Sequence, residues 1–188
     1  MSVEERKRRE RAERESAIVA AARALAEADG WNAVTIRRLA EKIEYSQPVL
    51  YSHFENRDAI VAAVALEGFG ELALALRKAV KRARDHQDAL TCLAGAYLAF
   101  ARKRPAVYEA MFAMPTDLRF AQAESKPELK EAFAALKDVV AQSTADAEAA
   151  TETFWASLHG LADLERTGRI RQGAREKRVA LVVNGMLA

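Results

Sequence analysis

The stretch from Thr35 to Val64, TIRRLAEKIEYSQPVLYSHFENRDAIVAAV, constrains the fold more than any other part of the chain. It reads as two short helices around a tight turn, followed by a third helix. Thr35 precedes an apolar-periodic run and is placed to N-cap it, its hydroxyl accepting a free N–H of the first turn. Ile36, Leu39, Ala40 and Ile43 recur at helical spacing and make one apolar face, with Arg37, Arg38, Glu41 and Lys42 covering the other. Glu44 and Tyr45 make the turn. Ser46 stands at the next cap, and Pro48 lies near that helix start, where a missing N–H does no harm. Leu50 and Phe54 are four apart and face inward together. Gln47, Val49, Tyr51, Ser52 and His53 are left to point mostly outward, and Asn56 caps a further helix beginning at Arg57.

Hydrogen-bonding side chains on the outer face of a helix anchored by Leu50 and Phe54 are what a helix entering the DNA major groove needs. At these residues the chain resembles the helix-turn-helix of the tetracycline-repressor (TetR) family of bacterial regulators. Three features carry the likeness: the Thr35 cap, the Leu-Tyr-x-His-Phe core at 50–54, and the Asn56-Arg57 pair after it. The resemblance implies a base-reading face of Gln47, Tyr51 and Ser52, with Gln47 on adenine and Pro48 and Val49 near a thymine methyl. It implies phosphate contacts from Thr35, Arg37, Ser46, His53 and Arg57. The family usually has Gly in the turn where this chain has Glu44. A left-handed backbone there costs a non-Gly residue about 1 kcal/mol, and the carboxylate adds negative charge near the expected phosphates.

Composition supports an all-α chain. Of 188 residues, 51% are hydrophobic, many of them Ala, and β-branched runs are few. The net charge of +2 is too small to argue for nucleic acid, and residues 1–60 hold eleven basic against eleven acidic side chains. Placement must therefore supply any attraction. Arg6, Lys7, Arg8, Arg9, Arg11 and Arg14 precede a first helix expected from about Ala12 to Asp29. They read either as an arm for phosphates and the minor groove or as a frayed tail kept soluble by the interspersed glutamates. No apolar signal core opens the chain, no run of about 18 apolar residues predicts a membrane span, and the lone Cys92 suits a reducing cytosol. A cytoplasmic protein is expected.

The periodicity predicts about nine helices. Residues 1–60 are expected to form the basic tail and DNA-binding domain, and residues 61–188 a ligand-binding and dimerisation domain. Residues 115–127 read as irregular. A second likeness lies here: TFWASLHGLADLERTGRI resembles the Trp-x-x-x-His-Gly signature of a TetR C-terminal domain type called WHG, and AYLAFARKRPAVYEAMF resembles its earlier helices. Tyr97, Phe100, Tyr108, Met111, Phe112, Phe133, Trp155 and His159 suggest a pocket for an apolar or aromatic small molecule; the alternative is that these aromatics are ordinary core. Leu158, Leu161 and Ala162 on one helix, with Val179, Val183 and Met186 on the last, suggest a four-helix homodimer interface; the alternative is that both stripes are buried within one chain.

Catalysis finds little footing. There is no Cys/His metal spacing, no Gly-rich phosphate loop and no nucleophile elbow, and no cofactor is expected. The resemblance thus implies a homodimeric regulator, a ligand-responsive repressor on a palindromic operator in double-stranded DNA. Two rivals stand beside it: a helical ligand- or partner-binding dimer that has lost specific DNA binding, and a small helical enzyme using His159.

Overall fold

The computed structural model describes residues 2–119, 122, 124–171 and 173–188. Among them are nine α-helices, one short 3-10 helix and no strand. The helices are α1 (Val3–Asp29), α2 (Ile36–Lys42), α3 (Gln47–Tyr51), α4 (Arg57–Val80), α5 (His86–Lys103), α6 (Pro105–Phe112), α7 (Pro127–Val140), α8 (Ala147–Arg166) and α9 (Arg175–Leu187), with the 3-10 helix at Trp31–Ala33. Of the irregular stretch expected over 115–127, residues 120, 121 and 123 lie outside the described residues.

The first helix begins nine residues earlier than its apolar stripe predicts. Ser2 accepts the Glu5 N–H at 3.1 Å while the Glu5 carboxylate accepts the Ser2 N–H at 2.7 Å, a reciprocal cap that starts α1 at Val3. Pairs one turn apart then line the exposed surface: Arg6–Glu10, Arg9–Glu13 and Arg11–Glu15. The mixed charge that suggested a frayed tail is the ladder that supports a solvated helix. Lys7, Arg8 and Arg14 make no ion pair among the described residues.

The chain divides into two compact units. The first comprises Met1–Gly68 with Ala106–Leu118, and the second comprises Phe69–Pro105 with Arg119–Ala188. This differs from a boundary at residue 60, because the packing of α4 continues to Gly68 and α6 joins the first unit. Within that unit the Trp31 indole, 4% exposed, donates from Nε1 to the Ala106 carbonyl at 2.8 Å, which satisfies a buried polar edge. The Glu27 carboxylate faces the Ala106 and Val107 N–H groups at 3.4 Å each, a negative charge at the N-terminus of α6. A Cβ on Gly68 would meet Val107 Cγ1 at 2.6 Å and Met111 Sδ at 2.8 Å. Glycine here permits close approach of α4 and α6.

Each unit has its own core. The first buries Ile18, Ala22, Leu25, Val34, Leu39, Leu50, Ile60 and Val64; the second buries Leu76, Leu90, Leu93, Tyr97, Phe154 and Leu158. The sequence expectation that no segment is long and apolar enough to cross a membrane is corrected at α4. That helix is long and apolar enough to cross one, and half of its apolar stretch is buried inside the protein. Ile60, Val61, Val64, Phe69, Leu72 and Leu76 account for this as core side chains.

Candidate nucleic-acid interface

The geometry around α3 follows from three local devices. Thr35 is extended (φ −120°, ψ 154°) and its Oγ1 accepts the Arg38 N–H at 3.2 Å, so it caps α2 as expected. Glu44 then adopts φ 56°, the left-handed backbone that the turn demands. Ser46 occupies the cap position of α3, but its side chain makes no capping hydrogen bond. That corrects the expected role, since Pro48 near the helix start already removes one of the free donors. Asn56 Oδ1 accepts the Ala59 N–H at 2.8 Å and starts α4.

Gln47, Pro48, Tyr51 and Ser52 are exposed on α3 and its C-terminal cap, Val49 is half-exposed, and Leu50 is wholly buried. Tyr51 presents 53% of its surface, unusual for an aromatic side chain. Ser52 Oγ turns back to donate to the Val49 carbonyl at 2.7 Å. Arg37 is highly exposed and its Nε lies 2.9 Å from Glu41, which raises the guanidinium further above its ordinary value. Gln47, Pro48 and Tyr51 thus share the exposed side of α3, with Val49 on its flank.

Two of the expected phosphate contacts are committed elsewhere. The His53 side chain is only 6% exposed, and its Nδ1 lies 3.3 Å from the Glu15 carboxylate on α1. Arg57 Nε donates to the Val34 carbonyl at 2.8 Å and Nη2 to the Trp31 carbonyl at 2.7 Å. Both carbonyls belong to the segment linking α1 to α2, so the guanidinium clamps that link to the start of α4. Sequence reading also missed the partners of α3 on α1. Arg11 Nε binds Glu15 at 2.8 Å and its Nη2 reaches the Ser52 carbonyl at 3.4 Å. The available signal was the four-residue spacing of Arg11 and Glu15, in a segment that reads as solvated charge.

Replacing Glu44 with Gly is expected to stabilise the first unit by up to about 1 kcal/mol, since the left-handed cost exceeds the extra chain entropy of glycine. Removing the carboxylate should also strengthen DNA binding several-fold at about 0.15 M salt. Chemical denaturation and a DNA titration check both; a less stable variant would show that the turn is not strained.

The residues expected to meet an effector or a second copy belong to α5–α9. In the second unit Trp155 Nε1 donates to the Tyr97 hydroxyl at 3.0 Å, and the Phe133 and Trp155 rings meet edge-on at 6.4 Å. Tyr97 and Phe100 are buried, with the Arg104 guanidinium 5.7 Å above the Phe100 ring. His159 is half-buried, and burial lowers its pKa below the ordinary value although Asp163 opposes this. Tyr108, Met111 and Phe112 instead belong to the first unit, where the Tyr108 and Phe112 rings lie 4.8 Å apart. The eight residues therefore do not form one group within the second unit. Leu158, Ala162, Val179 and Val183 are at most 6% exposed within a single chain, so this chain already covers the stripe expected to face a partner. Leu161 and Met186 are half-buried, while Leu164, Leu181 and Leu187 stand exposed.

The chain is similar to known proteins over both of its parts. Residues 18–64 match the family described as bacterial regulatory proteins, tetR family, and residues 90–184 match the family described as Tetracyclin repressor-like, C-terminal domain. An uncharacterized HTH-type transcriptional regulator of Mycobacterium tuberculosis is 33% identical over 156 residues, covering 80% of this chain and 69% of that one. A protein of unknown function from Rhodococcus sp. RHA1 has the same fold, with a TM-score of 0.74 at 23% identity over 92% of this chain and 93% of the other. A TetR point variant from Acinetobacter baumannii, solved in complex with minocycline, superposes with a TM-score of 0.64 at 17% identity over 90% and 92% of the two chains.

Proposed function

Because the chain belongs to the tetR family of bacterial regulators and is a DNA-binding transcriptional regulator, we propose that it is a repressor that reads a palindromic operator as a homodimer and is released by a small effector. The observation that carries this reading is the free surface of α3. Gln47 and Tyr51 are exposed on a helix that Leu50 fixes and that α1 tethers through Arg11 and Glu15. A helix presented in this way fits the major groove, and a two-fold pair would place half-sites about 34–36 Å apart or a multiple of this. Thr35, Arg37 and Ser46 are the residues assigned to phosphates. His53 and Arg57 are assigned to holding the helices rather than the DNA.

Pairing is assigned to the outward faces of α8 and α9. There Leu164, Leu181 and Leu187 are exposed beside Ala156 and Ala180, and Leu161 and Met186 lie at the margin. Exposed apolar side chains among small residues suit a helix face covered by a second copy. The effector is assigned to the second unit, where the half-buried Phe133, Trp155 and His159 favour an apolar or aromatic molecule. Binding of minocycline by the Acinetobacter TetR supports a small-molecule effector in general and not its identity here.

The reading is tested by selecting fragmented genomic DNA with the purified protein at about 0.15 M salt, where binding to phosphates alone is screened. An enriched palindrome is expected; recovery of DNA without a common site would overturn sequence-specific recognition. Within an enriched site, Gln47→Ala is expected to lose about 1–3 kcal/mol of base discrimination at one position per half-site. Unchanged preference there would remove Gln47 from the reading face.

A further inference from the structure

The second unit also holds a cavity of about 630 Å³ that none of its aromatic residues lines. It is formed by the C-terminal parts of α5 and α8, the segment after α8 and the first turn of α9. Five arginines, Arg102, Arg166, Arg171, Arg175 and Arg178, face it against two carboxylates, Glu165 and Glu176. The volume lies in the usual range for a small-molecule site, about 300–1,000 Å³.

The internal pairing does not use up this positive charge. Glu165 accepts from Arg175 Nε and from Arg178 Nη2, each at 2.9 Å. Burial alone would raise its carboxyl, but the hydrogen bonds from Arg175 and Arg178 outweigh this and hold it below the ordinary carboxylate range. One ionised carboxylate therefore orients two guanidiniums. Arg178 Nη1 also donates to the Arg171 carbonyl at 3.0 Å, which holds Arg171 beside α9, and its Nε is buried without a hydrogen-bond partner. Arg166 is paired with Asp163 at 2.7 Å. Arg102 and Arg171 make no ion pair among the described residues. Beside them lie Leu98, Ala101 and Ala162, all nearly fully buried.

We propose that this cavity binds a small organic anion, a carboxylate or phosphate head on a short aliphatic body. Arg102 and Arg171 meet the head, Arg175 and Arg178 shape the wall behind it, and Leu98, Ala101 and Ala162 receive the body. Guanidinium groups suit such heads because they give paired, charge-assisted hydrogen bonds. The site is separate from the Phe133–Trp155 group and does not depend on DNA recognition, so each can fail without the other.

The test is calorimetric titration of the full chain, without DNA, with hexanoate, hexyl phosphate and the neutral hexanol. At least one anion is expected to bind at one site per chain, and hexanol not to bind; which anion binds more tightly identifies the head group. Arg102→Gln and Arg171→Gln each should weaken that binding about tenfold or more, with the helical circular dichroism unchanged. Equal binding of hexanol, equal binding by the Arg102→Gln/Arg171→Gln double variant, or no binding of either anion overturns the proposal.

Discussion

Leu50→Ala is expected to destabilise the first unit by about 3 kcal/mol, within the roughly 2–5 kcal/mol typical of buried Leu→Ala changes, and to abolish operator binding. Helix α3 has only five residues, and isolated helices need about 12–15 residues to persist in water. Leu50 is its only buried residue; the neighbours that would read bases are outside. Truncation thus removes the one buried anchor of α3 and leaves a void beneath it, with the polar tether from Arg11 to the Ser52 carbonyl remaining. The two tryptophans separate the units, Trp31 in the first and Trp155 in the second. In a Trp155→Phe background, Trp31 fluorescence during urea unfolding reports the first unit alone. A midpoint unchanged by Leu50→Ala, with binding retained, would mean that α1 and the turn suffice to hold α3.

Arg57→Ala is expected to cost about 2–3 kcal/mol, because it removes two charge-assisted hydrogen bonds to backbone carbonyls. DNA affinity should fall across all sequences while the dependence of binding on salt keeps its slope. A phosphate contact would behave differently, flattening the slope by about one unit when lost. Arg57→Lys separates the two cases. It keeps the charge but not the planar fork that reaches the Val34 and Trp31 carbonyls together. Lysine should therefore resemble alanine in stability; full rescue by lysine, with a flattened slope in alanine alone, would return Arg57 to the DNA.

Much of the helical order was legible because periodicity and caps agree: Thr35 and Asn56 cap as their positions suggest, and Glu44 takes the left-handed turn. The start of α1 was not legible, because a reciprocal Ser2–Glu5 cap and a charge ladder stabilise a helix without an apolar stripe. The internal partners of His53 and Arg57 were hidden for a common reason. A polar side chain near a helix end looks the same in sequence whether it meets a phosphate or a carbonyl, and the Glu15 and Val34 partners lie 38 and 23 positions away. The stripes of α8 and α9 failed similarly: alternation of Leu158, Ala162, Val179 and Val183 marks a buried face but not whose chain buries it.

The segment from Ala106 to Leu118 packs with the DNA-reading helices, yet it falls inside the stretch, 90–184, that relatives share as a C-terminal module. Inherited blocks and folded units therefore have different edges. A hybrid regulator spliced at the inherited edge would import a foreign α6, whose side chains opposite Gly68 were fitted to another glycine or to none, and the Trp31 indole would meet a carbonyl placed for a different neighbour. Exchange of operator specificity between such proteins should succeed when α6 travels with the reading head, and splice points chosen from sequence alignment alone should yield hybrids that fold poorly.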